Sequence, residues 1–400
     1  MEQADVVIVG AGIIGLTLAR ELLARGASVL VLEKEEAAGM HAPGRNSGVL
    51  HAGIYYAPGT ARAATCLAGN RLMRTYCKER GPPLLESGKV IVASDAAQLD
   101  ILRALHRRAL EAGAEVNLVD EATLRDIEPH ARTVEQAIHS PLTAVVEPKA
   151  ILQSLLGELA ASPRARVRFG VRVEGPAPGR ALLTSAGCVE YGVLVNAAGA
   201  HADTLAHAHG LGLRYMLVPF KGLYRSLAPE ASHLCRGSIY PVPDPDTPFL
   251  GVHFTRAVSG RVHLGPTAIP AFGRENYGLL GGLDAEAPRF LWQDALLLAR
   301  SQVFRRVALS EPRKYLFRHF FADAARLVPE LRREYVLPSS KVGIRPQLVD
   351  TRTNSLVMDF VTEEAPGQLH VLGAISPAFT CSMALAPLLA EKAQGLARAV

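Results

Sequence analysis

Three glycines and one carboxylate near the start of the chain have the spacing of a nucleotide-binding turn. Gly10, Gly12 and Gly15 follow the apolar segment Val6–Val9, and Glu33 ends a second apolar segment. The first glycine of such a set allows a tight turn, the second lets the backbone approach a pyrophosphate, and the third lets a helix pack closely on a sheet. This spacing predicts a strand, a glycine turn, a helix and a second strand that together bind an adenine dinucleotide.

The residues next to these positions make the prediction more specific. Ile13 and Ile14 begin the predicted helix, whose N-terminal N–H groups and positive dipole end favour a phosphate. Glu33, which precedes Lys34, can accept hydrogen bonds from both ribose hydroxyls and would repel a 2′-phosphate. The alternative is a glycine-rich turn in an ordinary α/β protein.

A polar loop follows the second strand and should run along the dinucleotide toward its reactive ring. It contains Arg45, Asn46, Ser47, His51 and Ala52 among several glycines and two tyrosines. Few surface loops combine so many polar, aromatic and small residues, so we expect this loop to contact the cofactor. The alternative is a structured loop whose tyrosines lie in a core.

Two further segments carry side chains that could bind or convert a substrate. Arg345 stands between apolar residues, and a planar guanidinium can bind a carboxylate through two parallel hydrogen bonds. His253 lies on a predicted strand, Arg256 lies at the end of that strand or just past it, and a histidine can accept a proton near neutral pH. The alternatives are a buried ion pair for Arg345 and a hydrogen-bonded core histidine for His253.

A turn of mostly small residues near the end of the chain joins a predicted strand to the last helix. It consists of Ser376, Pro377, Ala378, Phe379 and Thr380. Backbone N–H groups at a helix N-terminus stabilise negative charge, so this turn could face a reduced cofactor ring. An ordinary helix N-cap is the alternative.

The strands that must position these residues come from separate parts of the chain. The apolar runs Val193–Gly199 and Leu369–Gly373 are typical of buried parallel strands. Residues 1–85, 141–213 and 336–400 are therefore predicted to form one discontinuous nucleotide-binding domain. Further helices are predicted at Glu147–Ala161 and Cys381–Ala399. Further strands are predicted at Val167–Val173, Tyr215–Ser226, Ile239–Pro243, Phe249–Thr255 and Arg261–Gly265.

The intervening segments predict a second domain. Residues 86–140 contain a strand at Lys89–Ala93 and a helix at Ala96–Ala112. Residues 214–335 begin with alternating sequence punctuated by Pro and Gly, which is typical of an antiparallel sheet, and continue with helices over Pro288–Leu331. The predicted fold class is therefore α/β, with a Rossmann-like nucleotide-binding domain and a second α+β domain that covers the substrate.

The composition is that of a globular protein and argues against several other classes. Of the 400 residues, 49% are hydrophobic and 20% are charged, and the net charge of +5 is too diffuse to indicate nucleic acid. No uncharged apolar run reaches about eighteen residues, so no transmembrane helix is expected. The five cysteines have no metal-ligand spacing, so we expect no metal and reduced thiols in the cytoplasm. The N-terminus leads directly into the first strand, so we expect no signal peptide.

Residues 289–333 have a distinct character. They hold ten basic and four acidic residues, interleaved with seven aromatic residues. Basic amphipathic helices of this kind can lie on anionic membranes, so one expectation is peripheral contact with the inner face of the cell membrane. The alternative is that these helices pack on the second domain and expose solvated charged faces.

Three stretches of the chain carry a family resemblance. They are Asn46–Tyr56, then Ile239–Pro245 together with Pro248–Thr255, and finally Leu264–Ala268 with the Ala271–Tyr277 segment that follows. With the glycine turn and the late Ser-Pro turn, these segments resemble the FAD-dependent oxidoreductases of the D-amino-acid oxidase and glycine oxidase superfamily. Within that superfamily they are most similar to the L-2-hydroxyglutarate dehydrogenases. Thr267 and Phe379 depart from the pattern, since asparagine and a small residue are usual there.

This resemblance implies roles for individual residues in binding FAD and a substrate. The cofactor residues would be Gly10, Gly12, Gly15 and Glu33 at the ADP half, Val173 near the adenine, Ala198 and Gly199 along the pyrophosphate, and Asn46, Ser47, His51 and Ala52 by the flavin ring. Arg345 would bind one substrate carboxylate. The residues proposed for the other carboxylate are Lys221, Tyr224, Tyr240 and Arg256.

The resemblance also implies a reaction, the oxidation of an L-2-hydroxy acid such as L-2-hydroxyglutarate to the 2-oxo acid. A base takes the hydroxyl proton while the α-hydrogen leaves as hydride to the flavin, and a base that titrates near neutrality favours His51 or His253. No second nucleotide motif is present, so oxygen or a quinone is the expected electron acceptor. The alternatives are an amino-acid oxidase of the glycine oxidase type, an oxidase of another hydroxy acid, and a flavoprotein subunit that only relays electrons.

Overall fold

The computed structural model describes residues 2–244, 250–278 and 281–398. Its strands, numbered along the chain, are β1 (Glu2–Val9), β2 (Val29–Leu32), β3 (Val49–Leu50), β4 (Leu84–Leu85), β5 (Lys89–Val92), β6 (Asn117–Asp120), β7 (Gln136–Ser140), β8 (Ala144–Val146), β9 (Ala165–Arg168), β10 (Val173–Ala177), β11 (Ala181–Thr184), β12 (Gly187–Asn196), β13 (Tyr215–Leu227), β14 (Ser238–Pro241), β15 (His253–Arg256), β16 (Val262–Gly265), β17 (Ile269–Pro270), β18 (Val336–Asp350), β19 (Ser355–Leu356), β20 (Thr362–Ala365) and β21 (Gln368–Val371). Its α-helices are α1 (Ile13–Ala24), α2 (Ala42–Arg45), α3 (Ala61–Arg80), α4 (Leu99–Glu111), α5 (Glu121–Ile127), α6 (Pro148–Ala160), α7 (Ala202–Ala208), α8 (Ala287–Arg300), α9 (Gln302–Ser310), α10 (Phe317–Leu327) and α11 (Ala378–Arg398).

The first strands belong to a largely parallel sheet, and the glycine turn follows directly from its first strand. β1 pairs in parallel with β2 and β12, β2 pairs with β9, and β12 pairs with β21. The last four residues of β1 and all of β2 are apolar and buried, as central parallel strands with both faces covered must be. The strand order is β10-β11-β12-β1-β2-β9, with β21 also paired to β12.

Helices from distant parts of the chain cover this sheet through one apolar cluster. Leu22 of α1, Leu155 of α6 and Leu389 of α11 are all buried in it, together with Met73 of α3. Because α1 and α11 contact each other, the two ends of the sequence meet beside the glycine turn. The cluster therefore fixes the late segments of the chain against the early ones.

A ten-stranded sheet forms the other half of the molecule. Its order is β19-β18-β13-β16-β15-β14-β5-β7-β6, with β17 paired to β13. The longest pairing joins β13 to β18, from Tyr215 opposite Asp350 to Leu227 opposite Val336. β5 pairs with β14, so strands from residues 86–140 and from residues 214–335 meet in one sheet. A third, small sheet has the order β3-β8-β4.

The position of residues 336–350 differs from the sequence prediction. The sequence assigns this segment to the nucleotide-binding domain, but as β18 it lies in the ten-stranded sheet. Its backbone hydrogen bonds are satisfied by β13 along nearly its whole length, and this pairing determines where the segment lies. The other predicted domain boundaries stay a prediction.

Several local elements also have different bounds. The predicted strand Val167–Val173 is interrupted between β9 and β10, because Gly170 has a φ of +68°, a left-handed conformation outside the strand region. The last helix begins at Ala378 rather than at Cys381. The motif residues Pro245, Pro248 and Phe249, and the predicted helix end at Ala399, lie outside the described residues. Among the helices of the described ranges, none has the length and apolar character needed to cross a membrane.

Candidate active site

One continuous cavity of about 790 Å³ is lined by residues of both large sheets. The predicted cofactor residues that line it are Gly10, Gly12, Ile13, Ile14, Glu33, Lys34, Arg45, Asn46, Ser47, His51, Val173, Ala198, Gly199, Ser376, Pro377, Ala378, Phe379 and Thr380. The predicted substrate residues that line it are Lys221, Tyr224, Tyr240, His253 and Arg345. The cavity thus brings together most of the residues singled out from the sequence.

The glycine turn has the backbone geometry that its residue types predict. Gly10 has a φ of +108°, and a Cβ there would lie 2.5 Å from the carbonyl oxygen of Ala197. A Cβ on Gly15 would lie 2.0 Å from the carbonyl oxygen of Gly10, so Gly15 packs α1 against the turn and does not itself line the cavity. No side chain caps the N-terminus of α1 at Gly12, which leaves its first N–H groups for a ligand.

Glu33 follows β2 and its carboxylate is held in place by the backbone. Its Oε2 accepts a hydrogen bond of 2.9 Å from the N–H of Ala11, and its Oε1 accepts one of 3.0 Å from the N–H of Glu35. Val173 and Ala198 line the same cavity from β10 and from the segment after β12. The carboxylate is therefore fixed beside the glycine turn, at the end of the strand where a ribose would lie.

The polar loop is folded by its own hydrogen bonds. Asn46 accepts a hydrogen bond of 2.7 Å from the N–H of Gly48 and donates one of 2.7 Å to the carbonyl of Pro43. The guanidinium of Arg45 stacks on the ring of Tyr277, with 3.9 Å between the guanidinium carbon and the ring centroid. Ala52, which the sequence assigns to the cofactor, is fully buried and does not line the cavity, so that assignment is corrected.

The turn that precedes α11 is connected to the histidine loop. Thr380 accepts a hydrogen bond of 3.1 Å from the N–H of His51 and donates one of 3.3 Å to the carbonyl of Val49. These two bonds join residues that are more than three hundred positions apart in the sequence. The first turn of α11 is therefore held beside the loop that carries His51.

His51 and His253 are both placed at the cavity. The Nδ1 atom of His51 is buried and has no hydrogen-bond partner among the described residues. The Nδ1 atom of His253 lies 2.9 Å from the carbonyl oxygen of Gly251. Because a carbonyl only accepts, Nδ1 of His253 donates and its Nε2 is left as the acceptor. The ring of Tyr240 lies against His253, with 3.8 Å between the two centroids.

Burial and nearby positive charge keep both histidines neutral. The pKa of His51 is lowered to about 3, first by burial and then by the charge of Lys89. The pKa of His253 is also lowered to about 3 by burial, and Lys89 again contributes. Neither histidine therefore titrates near neutrality in the protein's own surroundings, because a low dielectric disfavours the imidazolium, and the identity of the base stays a prediction.

Two cationic side chains reach the cavity from neighbouring strands. Arg345 lies on β18, and burial lowers its pKa to about 10, so it remains a cation at physiological pH. Lys221 lies on β13, and its ammonium donates hydrogen bonds of 2.7 Å to Asn276 and to the carbonyl of Gly278. β13 and β18 pair directly, and this pairing brings the two cations to the same cavity.

Arg256 is not brought to the cavity, which corrects its assignment to the substrate. Its guanidinium donates hydrogen bonds of 2.8 Å to the carbonyl of Ser232 and 3.0 Å to that of Cys235. These carbonyls belong to the segment before β14, away from the cavity lining. Arg256 therefore holds the segment that precedes β14 in the ten-stranded sheet.

A network of charged side chains at the cavity was missed by the sequence reasoning. The ammonium of Lys34 lies 2.5 Å from carboxylate oxygens of both Glu35 and Glu275. His41 lies 2.8 Å from Glu35, and His201 lies 2.8 Å from Glu275. The ligand atoms of Glu35, His41 and Glu275 lie within 4.8 Å of one another, but the ammonium of Lys34 lies among them, so the cluster is an ion-pair network. Lys34, Glu35 and His41 are close in sequence, but Glu275 and His201 lie far from them, so no local pattern could have revealed the complete network.

Comparison with known proteins identifies the class of this site. The chain matches the model of the FAD dependent oxidoreductase family over residues 5–392. This match spans nearly the whole chain, and the chain belongs to that family. The predicted cofactor, FAD, and the predicted enzyme class are therefore confirmed.

The relatives within the family are more specific. The chain is 35% identical to the mitochondrial L-2-hydroxyglutarate dehydrogenase of Nematostella vectensis, over 98% of this chain and 91% of that protein. It is 33% identical to the human mitochondrial L-2-hydroxyglutarate dehydrogenase, over 98% of this chain and 88% of that protein. It is 32% identical to the L-2-hydroxyglutarate dehydrogenase of Escherichia coli, over 98% of this chain and 93% of that protein. The resemblance noted in the sequence is therefore confirmed.

Solved structures agree with the fold. The FAD-bound L-alpha-glycerophosphate oxidase of Mycoplasma pneumoniae aligns with a TM-score of 0.77 at 21% identity, covering 100% of this chain and 95% of that chain. The glycine oxidase of Geobacillus kaustophilus aligns with a TM-score of 0.72 at 21% identity, covering 99% and 95%. At this level of identity the likeness concerns the fold, and the predicted fold class is confirmed.

The residues around the cavity fit an FAD molecule. Gly10 makes the tight turn, since a Cβ there would meet the carbonyl oxygen of Ala197, and the uncapped N-terminus of α1 supplies N–H donors for a pyrophosphate. The fixed carboxylate of Glu33 suits the ribose, and Asn46 and Thr380 extend the same lining to His51. FAD would therefore be held from the glycine turn to the histidine loop.

Proposed function

We propose that the protein oxidises L-2-hydroxyglutarate to 2-oxoglutarate. The observation that carries the proposal is a single cavity lined by two cations, Arg345 and Lys221, together with His51 and His253. A hydroxy dicarboxylate presents two anionic groups and one hydroxyl, which two cations and a proton acceptor can bind. The near full-length similarity to L-2-hydroxyglutarate dehydrogenases of animals and bacteria supports this assignment.

Arg345 is the proposed ligand of the carboxylate next to the reacting carbon. Its guanidinium can donate two parallel hydrogen bonds to that carboxylate and so fix the orientation of the substrate. A hydrogen bond of 3.3 Å to Gln347 helps to hold the guanidinium. Because burial lowers the pKa only to about 10, the positive charge is retained throughout the physiological range.

Lys221 and two tyrosines are the proposed ligands of the distal carboxylate. An ammonium has three donors, and Lys221 uses two of them for Asn276 and Gly278, so a third can bind the substrate. Burial raises the pKa of Tyr224 and of Tyr240, which keeps both hydroxyls protonated and able to donate. This set would recognise a second carboxylate at a fixed distance from Arg345.

His51 is the proposed proton acceptor, and His253 is the second candidate. FAD, when bound, accepts the hydride that leaves the substrate carbon. His51 would take the hydroxyl proton, for which it must be neutral, and burial keeps it so. A bound dianion raises the pKa of a neighbouring histidine because opposite charge favours the imidazolium, so the base becomes stronger when the substrate binds.

The test is anaerobic reduction of the flavin. FAD-loaded protein is mixed with L-2-hydroxyglutarate, D-2-hydroxyglutarate or glycine, and the absorbance of the flavin is followed. We expect rapid bleaching by the L-acid alone. Absence of bleaching by the L-acid would overturn the substrate assignment and leave the membership of the oxidoreductase family intact.

The other outcomes identify the alternatives. Reduction by glycine with release of ammonia would indicate an amino-acid oxidase of the glycine oxidase type. Reduction by a different hydroxy acid would point to the cavity positions that depart from the family pattern, Thr267 and Phe379. Reduction by no acid would leave a subunit that relays electrons to a partner.

A quinone or oxygen is the proposed electron acceptor. The helices within residues 289–333, which include most of α8 together with α9 and α10, are the proposed contact with a membrane. Leu291 and Trp292 on α8 are 52% and 67% exposed, and Leu309 on α9 is 64% exposed. Tyr315 and Leu316 nearby are 51% and 54% exposed. Exposed apolar side chains on basic helices support peripheral binding to an anionic bilayer, where a quinone would be reached. The proposed location is therefore the cytoplasm, with this surface on the inner face of the cell membrane.

A further inference from the structure

A buried lysine behind the histidine pair has no role in the reaction as described so far. Lys89 begins β5, which pairs with β14 and β7 inside the ten-stranded sheet. Its side chain is 1% exposed, and its Nζ atom has no hydrogen-bond partner in the described part of the chain. A buried ammonium without a hydrogen-bond acceptor costs free energy, so its presence calls for an explanation.

Aromatic rings are the immediate surroundings of this ammonium. Its Nζ atom lies 4.5 Å from the ring centroid of Tyr55 and 4.9 Å from that of Tyr240. Both ring faces attract a cation, which offsets part of the cost of burial. Tyr240 also lies against His253 and lines the cavity, whereas Lys89 does not line it. The lysine is therefore separated from the substrate site by the thickness of one aromatic ring.

The groups next to Lys89 carry no negative charge. Burial raises the pKa of Tyr55 and of Tyr240, so both phenols stay protonated. A hydrogen bond with Cys381, together with burial, raises the pKa of Cys66, so this thiol also stays neutral. No carboxylate pairs with Lys89 among the described residues, and the field of its charge is therefore not cancelled locally.

The field of Lys89 acts on both histidines. After burial itself, the charge of Lys89 is the strongest influence that lowers the pKa of His51, and it also lowers that of His253. Arg62 acts on His51 and Lys314 acts on His253, each more weakly than Lys89. These two cations have acceptors of their own.

The acceptors of the weaker cations lie outside the histidine pair. The guanidinium of Arg62 donates to the carbonyl of Met358, and the ammonium of Lys314 pairs with Glu311. The remaining ionisable neighbours, Tyr56 and Cys381, face Arg62 and Cys66 rather than the histidines. Lys89 is thus the cation whose charge has no partner and reaches both candidate bases.

We propose that Lys89 is a positioning residue whose buried ammonium, held against Tyr55 and Tyr240, supplies a positive charge that opposes protonation of the His51 and His253 pair until a dianionic substrate binds. This inference rests on the proposed function, since it takes one of the two histidines as the proton acceptor. The carboxylates of the substrate oppose the field of the lysine, so the histidine becomes a stronger base only when the substrate is in place. Below its lowered pKa of about 7, Lys89 also adds a third positive charge to the field that attracts the dianion.

The same arrangement has a consequence for stability. Burial lowers the pKa of Lys89 to about 7, whereas an unfolded chain keeps it near 10.5. Between these pH values the unfolded chain binds more protons, so this residue makes the folded protein less stable as the pH falls from about 10 toward about 7. A lysine retained at this cost serves the reaction rather than the fold.

The experiment compares Lys89→Met, which removes the charge from a side chain of similar length, with Lys89→Arg, which keeps it. Lys78→Met is the matched control, because Lys78 is 58% exposed and pairs with Glu86 at the surface. Thermal unfolding of the FAD-loaded proteins is followed by flavin release between about pH 6 and about pH 9. The rate of flavin reduction by saturating L-2-hydroxyglutarate is measured from about pH 4 to about pH 9, because the protonation of a histidine with a lowered pKa lies below neutrality.

Two results are expected. Lys89→Met unfolds about 2–5 °C higher than the wild type near neutral pH, and this advantage shrinks as the pH rises. The acid limb, which is the fall in the rate of flavin reduction toward low pH, lies about 0.5–1.5 pH units higher in Lys89→Met than in the wild type, because the histidine is protonated more easily without the lysine. Lys89→Arg keeps the limb of the wild type, and Lys78→Met changes neither quantity.

The contrary results are equally definite. A Lys89→Met protein that is less stable than the wild type, or that keeps its acid limb, would show a lysine needed only for the fold and would overturn the inference. An equal shift in Lys78→Met would do the same. If L-2-hydroxyglutarate does not reduce the wild type, the proposed function fails, and the unfolding measurement, which needs no substrate, still decides whether the buried charge of Lys89 lowers the stability of the fold.

Discussion

Arg345 and Arg256 are arginines on strands of the same sheet, yet they have different surroundings. Arg345 lines the cavity from β18, whereas Arg256 donates its hydrogen bonds to the carbonyls of Ser232 and Cys235. Residue type and an apolar sequence context make both plausible ligands of a carboxylate. The direction of the side chain and the acceptors it meets decide between them.

Exchange of these two arginines for glutamine gives a matched pair of variants. Arg345→Gln should lower kcat/KM for L-2-hydroxyglutarate by about 10²-fold, since a hydrogen bond to a charged group contributes about 1.5–3 kcal/mol. Arg256→Gln should leave kcat/KM within about twofold and should lower the stability slightly, because two carbonyls lose their donor. Steady-state kinetics with FAD-loaded protein measures the first effect. An equal loss in both variants would contradict the assignment of Arg345.

Single residues show where the sequence reasoning succeeds and where it stops. Gly10, Gly12 and Glu33 were found because a fixed spacing and a backbone requirement leave few alternatives. Lys34, Glu275 and His201 belong to a network whose partners lie far apart in the chain, and no local spacing encodes such contacts. The lowered pKa values of the histidines were missed because they follow first from burial and then from the charge of Lys89, and local spacing reveals neither.

The glycine turn is the element whose geometry is most restrictive. Gly15→Ala should destabilise the protein by about 1–3 kcal/mol, because the new Cβ would lie 2.0 Å from the carbonyl oxygen of Gly10 and force α1 away from the turn. The affinity for FAD should fall with it. Urea unfolding of the FAD-free protein and a titration with FAD measure the two effects.

A second glycine in a helix provides the control for this prediction. Gly157 lies in α6, and nothing lies within 4 Å of the Cβ that an alanine would add there. Gly157→Ala should therefore stabilise the protein by about 0.5–1 kcal/mol through helix propensity. Equal behaviour of the two variants would mean that close packing at Gly15 is unimportant.

Helices and strands were predicted best where a single local sequence pattern is strong. The strand, turn and helix at the start of the chain have strong local signals, and the structure has all three in the predicted order, with β1 beginning earlier, at Glu2. Residues 336–350 were assigned to the nucleotide-binding domain but lie as β18 in the ten-stranded sheet, because its partner β13 lies more than a hundred residues earlier and pairing over that distance leaves no mark in the local sequence. Gly170 interrupts a predicted strand through a backbone angle that the neighbouring residues do not signal.

At the scale of the whole molecule, the exposed surface of α8 and α9 offers an internal probe. Trp292 is the only tryptophan of the chain and is 67% exposed. Its fluorescence should shift to shorter wavelength when the protein meets vesicles of anionic lipid at physiological salt, because the indole leaves water. An unchanged emission spectrum, with the protein left in the supernatant after the vesicles are sedimented, would contradict membrane contact.

Two equally exposed leucines distinguish a specific contact from general adhesion. Leu309 lies on α9 and is 64% exposed, whereas Leu213 lies before β13 and is 67% exposed. Leu309→Ser should weaken vesicle binding about tenfold, in line with the loss of most of a buried leucine side chain. Leu213→Ser should leave binding as it is in the wild type.

The meeting of α1 and α11 beside the glycine turn bears on how the protein is made. β1 is synthesised well before its neighbour β12, and the turn at residues 376–380 follows only after both. Since all three segments line or support the cavity, a nascent chain cannot enclose the cofactor until residues 376–380 have emerged. Until then the open edge of β1 and the apolar face of α1 lack their partners, and a shortage of FAD would act on chains that have been synthesised at least that far.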